Sequence, residues 1–216
     1  VTDIRAVIFD LDGTLADTLA DVGNALDHVL VELGLSPHPL QQHRANLGWG
    51  VQRLVERTLP DADAALIAET VRRFRAYYSA HLIVDTAPYP EIPDVLDHLT
   101  GRVQLAVNSN KPHADTCRVI VEVFARWQFA DVVGARNGVP KKPDPAAALE
   151  QAAKLGVAPA QCAFVGDTDV DIRTAVAAGM LPLGAGWGFR DGSSLGAAGA
   201  AKVLASPRQL LAVLDV

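Results

Sequence analysis

Arg5-Ala6-Val7-Ile8-Phe9-Asp10-Leu11-Asp12-Gly13-Thr14-Leu15 decides the fold. Residues 5–10 form an apolar run without alternation, as expected of a strand covered on both faces. Two carboxylates stand at its carboxyl end, two residues apart. If the chain stays extended there, they point to similar places. In an open α/β sheet, ligands bind beyond the carboxyl ends of the strands. Gly13 lets the backbone turn sharply and expose N–H groups to an anion. Thr14 adds a hydroxyl. An Asp-Gly turn alone says little. An apolar strand that delivers two acids and a Gly-Thr turn is much rarer as plain turn chemistry.

Runs of the same kind recur at residues 103–109, 131–135 and 162–166, with weaker candidates at 181–185 and 202–205. Helical patterns lie between them at 114–125, at 145–155 with Gly156 as a stop, and at 169–178 stopped by Gly179. This alternation predicts an α/β fold, a doubly wound parallel sheet. Residues 17–82 break it. Leu19, Val22, Leu26, Val29, Leu30 and Leu33 follow helical spacing up to Gly34. A second stripe runs Val51, Leu54, Val55 and Leu59, and a third runs Leu66, Ile67, Val71, Phe74, Tyr77 and Tyr78. The expected organisation is an α/β core of residues 1–16 and 83–216 with an inserted α-helical cap of residues 17–82, Pro88-Tyr89-Pro90 marking the re-entry. Asp17 and Thr18 are expected to cap the first inserted helix. Residues 184–201 read as loop. Gly184-x-Gly186-x-Gly188 is a poor dinucleotide fingerprint, because no clear helix follows it at once.

Composition narrows the function. The 216 residues are half hydrophobic, and 19 Lys+Arg against 25 Asp+Glu leave a net charge of −6. An acidic chain argues against nucleic acid or an anionic membrane as the main partner. No apolar run reaches the ~18–20 residues of a membrane span. Val1-Thr2-Asp3-Ile4-Arg5 lacks a basic region followed by a long apolar stretch, so no secretory signal is expected. Cys117 and Cys162 make no C-x-x-C and read as buried small hydrophobes in a reducing, cytoplasmic compartment. The six histidines form no metal-ligand pair, which argues against zinc.

Three further strand ends carry chemistry. Gly166-Asp167-Thr168-Asp169-Val170-Asp171 again ends an apolar run in acids. Acids stabilise a helix N-terminus, and one of the three does so. Asp167 and Asp171, four apart, share one face, where like charges cost a few tenths of a kcal/mol. A bound cation turns that cost into attraction. Asp10, Asp12, Asp167 and Asp171 together suggest a hard, oxygen-liking ion such as Mg²⁺. Asn108-Ser109-Asn110-Lys111 supplies a hydroxyl, two amides and an amine. Lys142, in Lys141-Lys142-Pro143-Asp144-Pro145, supplies an amine on a proline-stiffened loop. Singly, each of these last two reads as a turn or a solvated charge. Together, at successive strand ends, they read as a site.

In these motifs the sequence resembles the haloacid dehalogenase-like hydrolase superfamily, in particular its Mg²⁺-dependent phosphatases with a helical cap after the first strand. Asp10-x-Asp12-Gly13-Thr14 is similar to the family's first motif, Ser109 to the second, Lys142 to the third and Gly166-Asp167-x-x-x-Asp171 to the fourth. Among its members it looks most like the phosphoglycolate phosphatases. The grounds are Asn46-Leu47-Gly48-Trp49-Gly50-x-x-x-Leu54-Val55, Pro88-Tyr89-Pro90, Ser109-Asn110-Lys111-Pro112 and Gly186-x-Gly188-x-Arg190. Glu91 departs from that subgroup, which usually has Gly there, and Gly186-Trp187-Gly188-Phe189 departs slightly from its aromatic pattern.

The resemblance implies Asp10 as nucleophile, Asp12 as general acid and base, and Ser109 and Lys142 as catalytic partners. It implies Thr14, Asn110, Gly48 and Trp49 around the substrate. It implies Mg²⁺ held by Asp10, Asp167 and the backbone carbonyl of Asp12, with Asp171 orienting ligands or waters. The expected substrate is a small phosphorylated metabolite, 2-phosphoglycolate first, in a cytoplasmic monomer or homodimer that binds neither nucleic acid nor membrane. A phosphatase for a phosphosugar, a nucleotide or pyrophosphate is the alternative within the enzyme class. A receiver-type or phosphatase-like interaction module is the alternative outside it, but a receiver has only ~120 residues and lacks the helical insertion.

Overall fold

The computed structural model describes residues 3–215; the N-terminal reading at Val1 and Thr2 lies outside them. Strand β1 (Ala6–Phe9) is buried throughout. Its side chains alternate between two cores, Val7 and Phe9 on one face, Ala6 and Ile8 on the other. This is why the run is apolar without a gap. Five more strands join it: β4 (Gln104–Pro112), β5 (Asp131–Ala135), β6 (Cys162–Gly166), β7 (Leu181–Ala185) and β8 (Lys202–Leu204). They form a parallel sheet in the order β5-β4-β1-β6-β7-β8. The order reverses on either side of β1, so the switch point lies at its carboxyl end.

Helices cover the sheet: α5 (Ile92–Leu99), α6 (His113–Val123), α7 (Ala146–Leu155), α8 (Asp169–Ala178) and α10 (Gln209–Leu214). Gly156 and Gly179 end α7 and α8 in left-handed conformation, with φ of 68° at each. A short helix, α9 (Gly192–Ala197), lies inside the segment read as loop. Its Gly-Ser-Ser-Leu-Gly-Ala sequence carries almost no helical signal. It forms because Asp191 accepts from the Ser194 N–H at 2.9 Å and Leu195 is completely buried.

The insertion contains α1 (Leu19–Glu32), α2 (Leu40–Asn46), α3 (Val51–Thr58) and α4 (Ala64–Ala80). Its three apolar stripes face one another: Val22, Leu26, Val29 and Leu30 are buried with Leu54 and Val55 and with Ile67, Val71, Phe74 and Tyr78. The chain leaves and returns through a two-strand antiparallel ladder of β2 (Ala16–Asp17) and β3 (Ala87–Pro88). The buried Asp21 carboxylate closes this neck, accepting the N–H groups of Val84, Asp85 and Thr86 and the Thr86 hydroxyl. Thr18 does not cap α1: its hydroxyl is buried without a hydrogen-bond partner, and Asp17 instead accepts from the Leu19 N–H at 3.2 Å. Of the two free cysteines Cys162 is buried as expected, but Cys117 is partly exposed. No helix among the described residues is long and apolar enough to cross a membrane.

Candidate active site

Strand register assembles the site. Phe9 pairs with Val107 of β4 and with Val165 of β6. One residue further on, Asp10, Asn108 and Gly166 lie side by side, and the acids and hydroxyl that follow them converge. Asp10 donates its N–H to the Val165 carbonyl at 2.9 Å. Its Oδ1 accepts from the Leu11 N–H at 2.7 Å and from Lys142 Nζ at 2.9 Å, while Oδ2 accepts from no described residue.

Asp10, Asp167 and Asp171 bring carboxylate oxygens within 4.8 Å of one another, all buried. Asp167 accepts from Thr14 Oγ1 at 3.2 Å and from the Phe189 N–H at 2.8 Å. Glycine makes room for it. A Cβ on Gly13 would stand 2.3 Å from Asp167 Oδ2, and one on Gly188 would stand 2.3 Å from Asp167 Cβ. Asp171 is committed elsewhere. Its Oδ2 accepts from the Thr168 N–H (3.0 Å) and hydroxyl (2.6 Å), a capping box on α8, and its Oδ1 accepts from Lys142 at 2.6 Å. The Asp12 side chain lies outside this cluster.

Burial, reinforced by the neighbouring Asp171 charge, lifts Asp10 to about 7 against the pull of Lys142. Burial, then the Asp171 and Asp10 charges, push Asp167 well above the usual carboxylate range. Such a cluster of desolvated oxygens favours a proton or a cation. Oxygen donors alone, with Asp10 Oδ2 uncommitted, fit a hard divalent ion.

Lys142 offsets part of this charge. Its three ammonium N–H groups meet Asp10, Asp171 and the Asn108 carbonyl, the last at 2.8 Å. Burial opposes its charge, but the two carboxylates outweigh burial and raise its pKa. Asn110 fixes the Lys142 backbone, accepting its N–H at 3.0 Å and donating to its carbonyl at 3.1 Å. The Asn110 amide therefore serves Lys142 and, at 3.4 Å, the Gly48 carbonyl. Ser109 is buried beside Asp10 and Asp12 in the lining of a small cavity.

That cavity, about 60 Å³, lies between the acids and the inserted helices. Leu47, Leu54 and Phe74 make its apolar roof, and Gly48 also lines it. Trp49, expected with Gly48 at the substrate, is not part of the lining; the Arg57 guanidinium lies 6.0 Å from its ring. Gly48, at φ 103°, rests on the core, and a Cβ there would meet Thr168 Cγ2 at 2.6 Å. Arg190 donates to the carbonyls of Arg44 (2.9 Å) and Leu47 (2.7 Å), and Arg44 donates back to Gly188 and Phe189. These contacts seat the cap over the acids.

One pair escaped the sequence reading. Lys111 Nζ, at the end of β4, donates to Asp12 Oδ1 at 2.8 Å and to the Tyr78 hydroxyl of α4 at 2.6 Å. The sequence reading named the Lys111 amine at this strand end but not its partners.

The model of the haloacid dehalogenase-like hydrolase family matches residues 4–179, a span that contains the four motifs from Asp10 to Asp171. The chain is a haloacid dehalogenase-like hydrolase. This hydrolase is 36% identical over 219 aligned residues to the phosphoglycolate phosphatase of Pseudomonas putida, covering 96% of the chain and 78% of that protein. It is 36% identical over 187 residues to the phosphoglycolate phosphatase of Aquifex aeolicus, covering 86% of each. Among solved structures, a haloacid dehalogenase-like family protein from Streptococcus pneumoniae matches it with a TM-score of 0.90 at 25% identity over 99% of both chains. The likeness spans the cap as well as the sheet.

Proposed function

We propose that this hydrolase is a phosphomonoesterase that converts 2-phosphoglycolate to glycolate and phosphate through a phosphorylated Asp10. The observation that carries this reading is Asp10 itself, a buried carboxylate in the lining of a small cavity, with one oxygen committed and the other accepting from no described residue. The two phosphoglycolate phosphatases at 36% identity support the substrate.

Four carboxylates and a phosphate dianion bring about six negative charges together, so a cation belongs in the site. Asp10, Asp167 and the Asp12 carbonyl would hold Mg²⁺, with Asp171 and Lys142 orienting the carboxylates. When bound, the ion offsets the charge that builds on the transferring phosphoryl group.

Asp10 Oδ2 attacks phosphorus in line with the ester oxygen. The P–O ester bond breaks as the Asp10–phosphorus bond forms. Asp12 gives its proton to the leaving alkoxide, a role worth ~10²–10⁴-fold. Asp12 then takes a proton from the water that hydrolyses the aspartyl phosphate, which restores Asp10. Ser109 and the backbone N–H at Asn110 hold the phosphoryl oxygens; Thr14 and the Leu11 N–H, expected beside them, are instead committed to Asp167 and Asp10. The seated cap keeps other water out.

We also place the enzyme in the cytoplasm, in keeping with two free cysteines in the described residues. The test is phosphate release from a panel of 2-phosphoglycolate, phosphosugars, nucleoside monophosphates and pyrophosphate, with and without Mg²⁺. A Mg²⁺-dependent preference for 2-phosphoglycolate supports the reading. Preference for a larger ester removes the substrate but keeps the chemistry. Inactivity on every member removes both.

A further inference from the structure

Two buried cations face the acids, and they are used differently. Lys142 spends all three of its N–H groups on protein acceptors. Lys111 spends two, on Asp12 and Tyr78, and no described residue accepts the third. The Tyr78 hydroxyl accepts from Lys111, and its own O–H has no acceptor among the described residues. Both side chains line the cavity, and both are buried, Lys111 7% and Tyr78 4% exposed. Uncommitted buried donors are costly unless a ligand completes them. The neighbouring roof is apolar: Val22, Leu47, Val51, Leu54 and Phe74.

We infer that the Lys111 ammonium and the Tyr78 hydroxyl together receive the carboxylate of the substrate, and so select short phosphorylated hydroxy acids over phosphate esters of the same size that lack a carboxylate. The inference rests on the proposed phosphomonoesterase reading and names the groups that set its substrate class. A carboxylate offers two acceptor oxygens, and a charged donor beside a neutral one matches it. Burial pushes the Tyr78 hydroxyl up to about 12, so it stays a donor at neutral pH. Lys111 stands on the core strand β4 and Tyr78 on the cap helix α4. A carboxylate bound to both ties cap seating to the identity of the substrate. An ester without the carboxylate leaves both donors unmet, which is the arrangement that discriminates most strongly.

The experiment compares kcat/KM for 2-phosphoglycolate and for ethyl phosphate, the same two-carbon ester without the carboxylate, in wild type, Lys111→Met and Tyr78→Phe. In wild type 2-phosphoglycolate is strongly preferred. Lys111→Met also disturbs Asp12 and slows both substrates, so the readout is their ratio. That ratio falls about 100-fold in Lys111→Met and about 10-fold in Tyr78→Phe. The loss on 2-phosphoglycolate appears mainly in KM. Tyr78→Phe, which keeps the Lys111–Asp12 pair, decides the matter if Lys111→Met folds poorly. Equal losses on both substrates overturn the inference and leave Lys111 a positioning residue for Asp12. A wild type with no preference for 2-phosphoglycolate overturns the substrate reading instead, and the receptor with it.

Discussion

Lys142 Nζ lies 2.6 Å from Asp171 and 2.9 Å from Asp10, so one buried ammonium is shared by the proposed nucleophile and the acid that caps α8. Removing it strands two buried carboxylates. Lys142→Met is expected to lower kcat about 10²–10³-fold and to cost ~3–5 kcal/mol of stability. Steady-state kinetics and urea unfolding measure the two. Near-wild-type kcat would remove Lys142 from the chemistry.

Metal and pH act on the same cluster. Asp10 stands at about 7 in the fold, above its ordinary value of 3.8. The folded, metal-free protein therefore binds more protons than the unfolded chain in the window between those values. The stabilisation is fully present below about pH 4 and is lost as pH rises through about 7. Melting of EDTA-treated protein should show Tm falling from about pH 5 to about pH 8. Mg²⁺ should raise Tm more at the higher pH, where the cluster is charged. A Tm indifferent to pH and Mg²⁺ would contradict this account of the cluster.

Gly48 rests against Thr168 of the core. Gly48→Ala places a methyl against Thr168 Cγ2 and puts an L side chain at φ 103°. Strain of ~1–3 kcal/mol should appear as a rise in KM of about 10-fold. Thr168→Ser, which removes Cγ2 but keeps the hydroxyl on Asp171, should recover part of it. No recovery would mean that backbone strain alone, and not the Thr168 contact, sets the loss.

Asp21 holds the neck of the insertion. Asp21→Ala leaves three backbone N–H groups without their acceptor, at a cost of about 3 kcal/mol. Urea unfolding should show the loss. An unchanged midpoint would mean that the neck is held by the β2–β3 ladder alone.

What the sequence made legible follows from how local each signal is. Strands β5, β6 and β7 and helix α8 carry unbroken apolar runs or an αL glycine stop, and their bounds could be read directly. Helix α5 escaped notice. It is short, opens with Ile92-Pro93, and its N-cap Glu91 sits at φ 68°. That left-handed conformation is where glycine is free, which accounts for the residue that usually stands there in the related phosphatases. The acids of the proposed site were legible because Asp10, Asp12 and Asp167 follow apolar strands and Asp171 lies in the first turn of the helix after one. The Lys111–Tyr78 contact was not, because it joins residues 33 positions apart across the cap boundary. The Asp21 clasp likewise depends on chain return more than 60 residues later.

On the proposed mechanism the phosphoryl group passes through Asp10. The most direct measurement is acid quenching of the enzyme during turnover of radiolabelled 2-phosphoglycolate, followed by peptide mapping, in wild type and Asp10→Asn. The account predicts label on the peptide that carries Asp10, released by hydroxylamine, and a folded Asp10→Asn variant with neither label nor turnover. Label on another residue, or full turnover by Asp10→Asn, would contradict it.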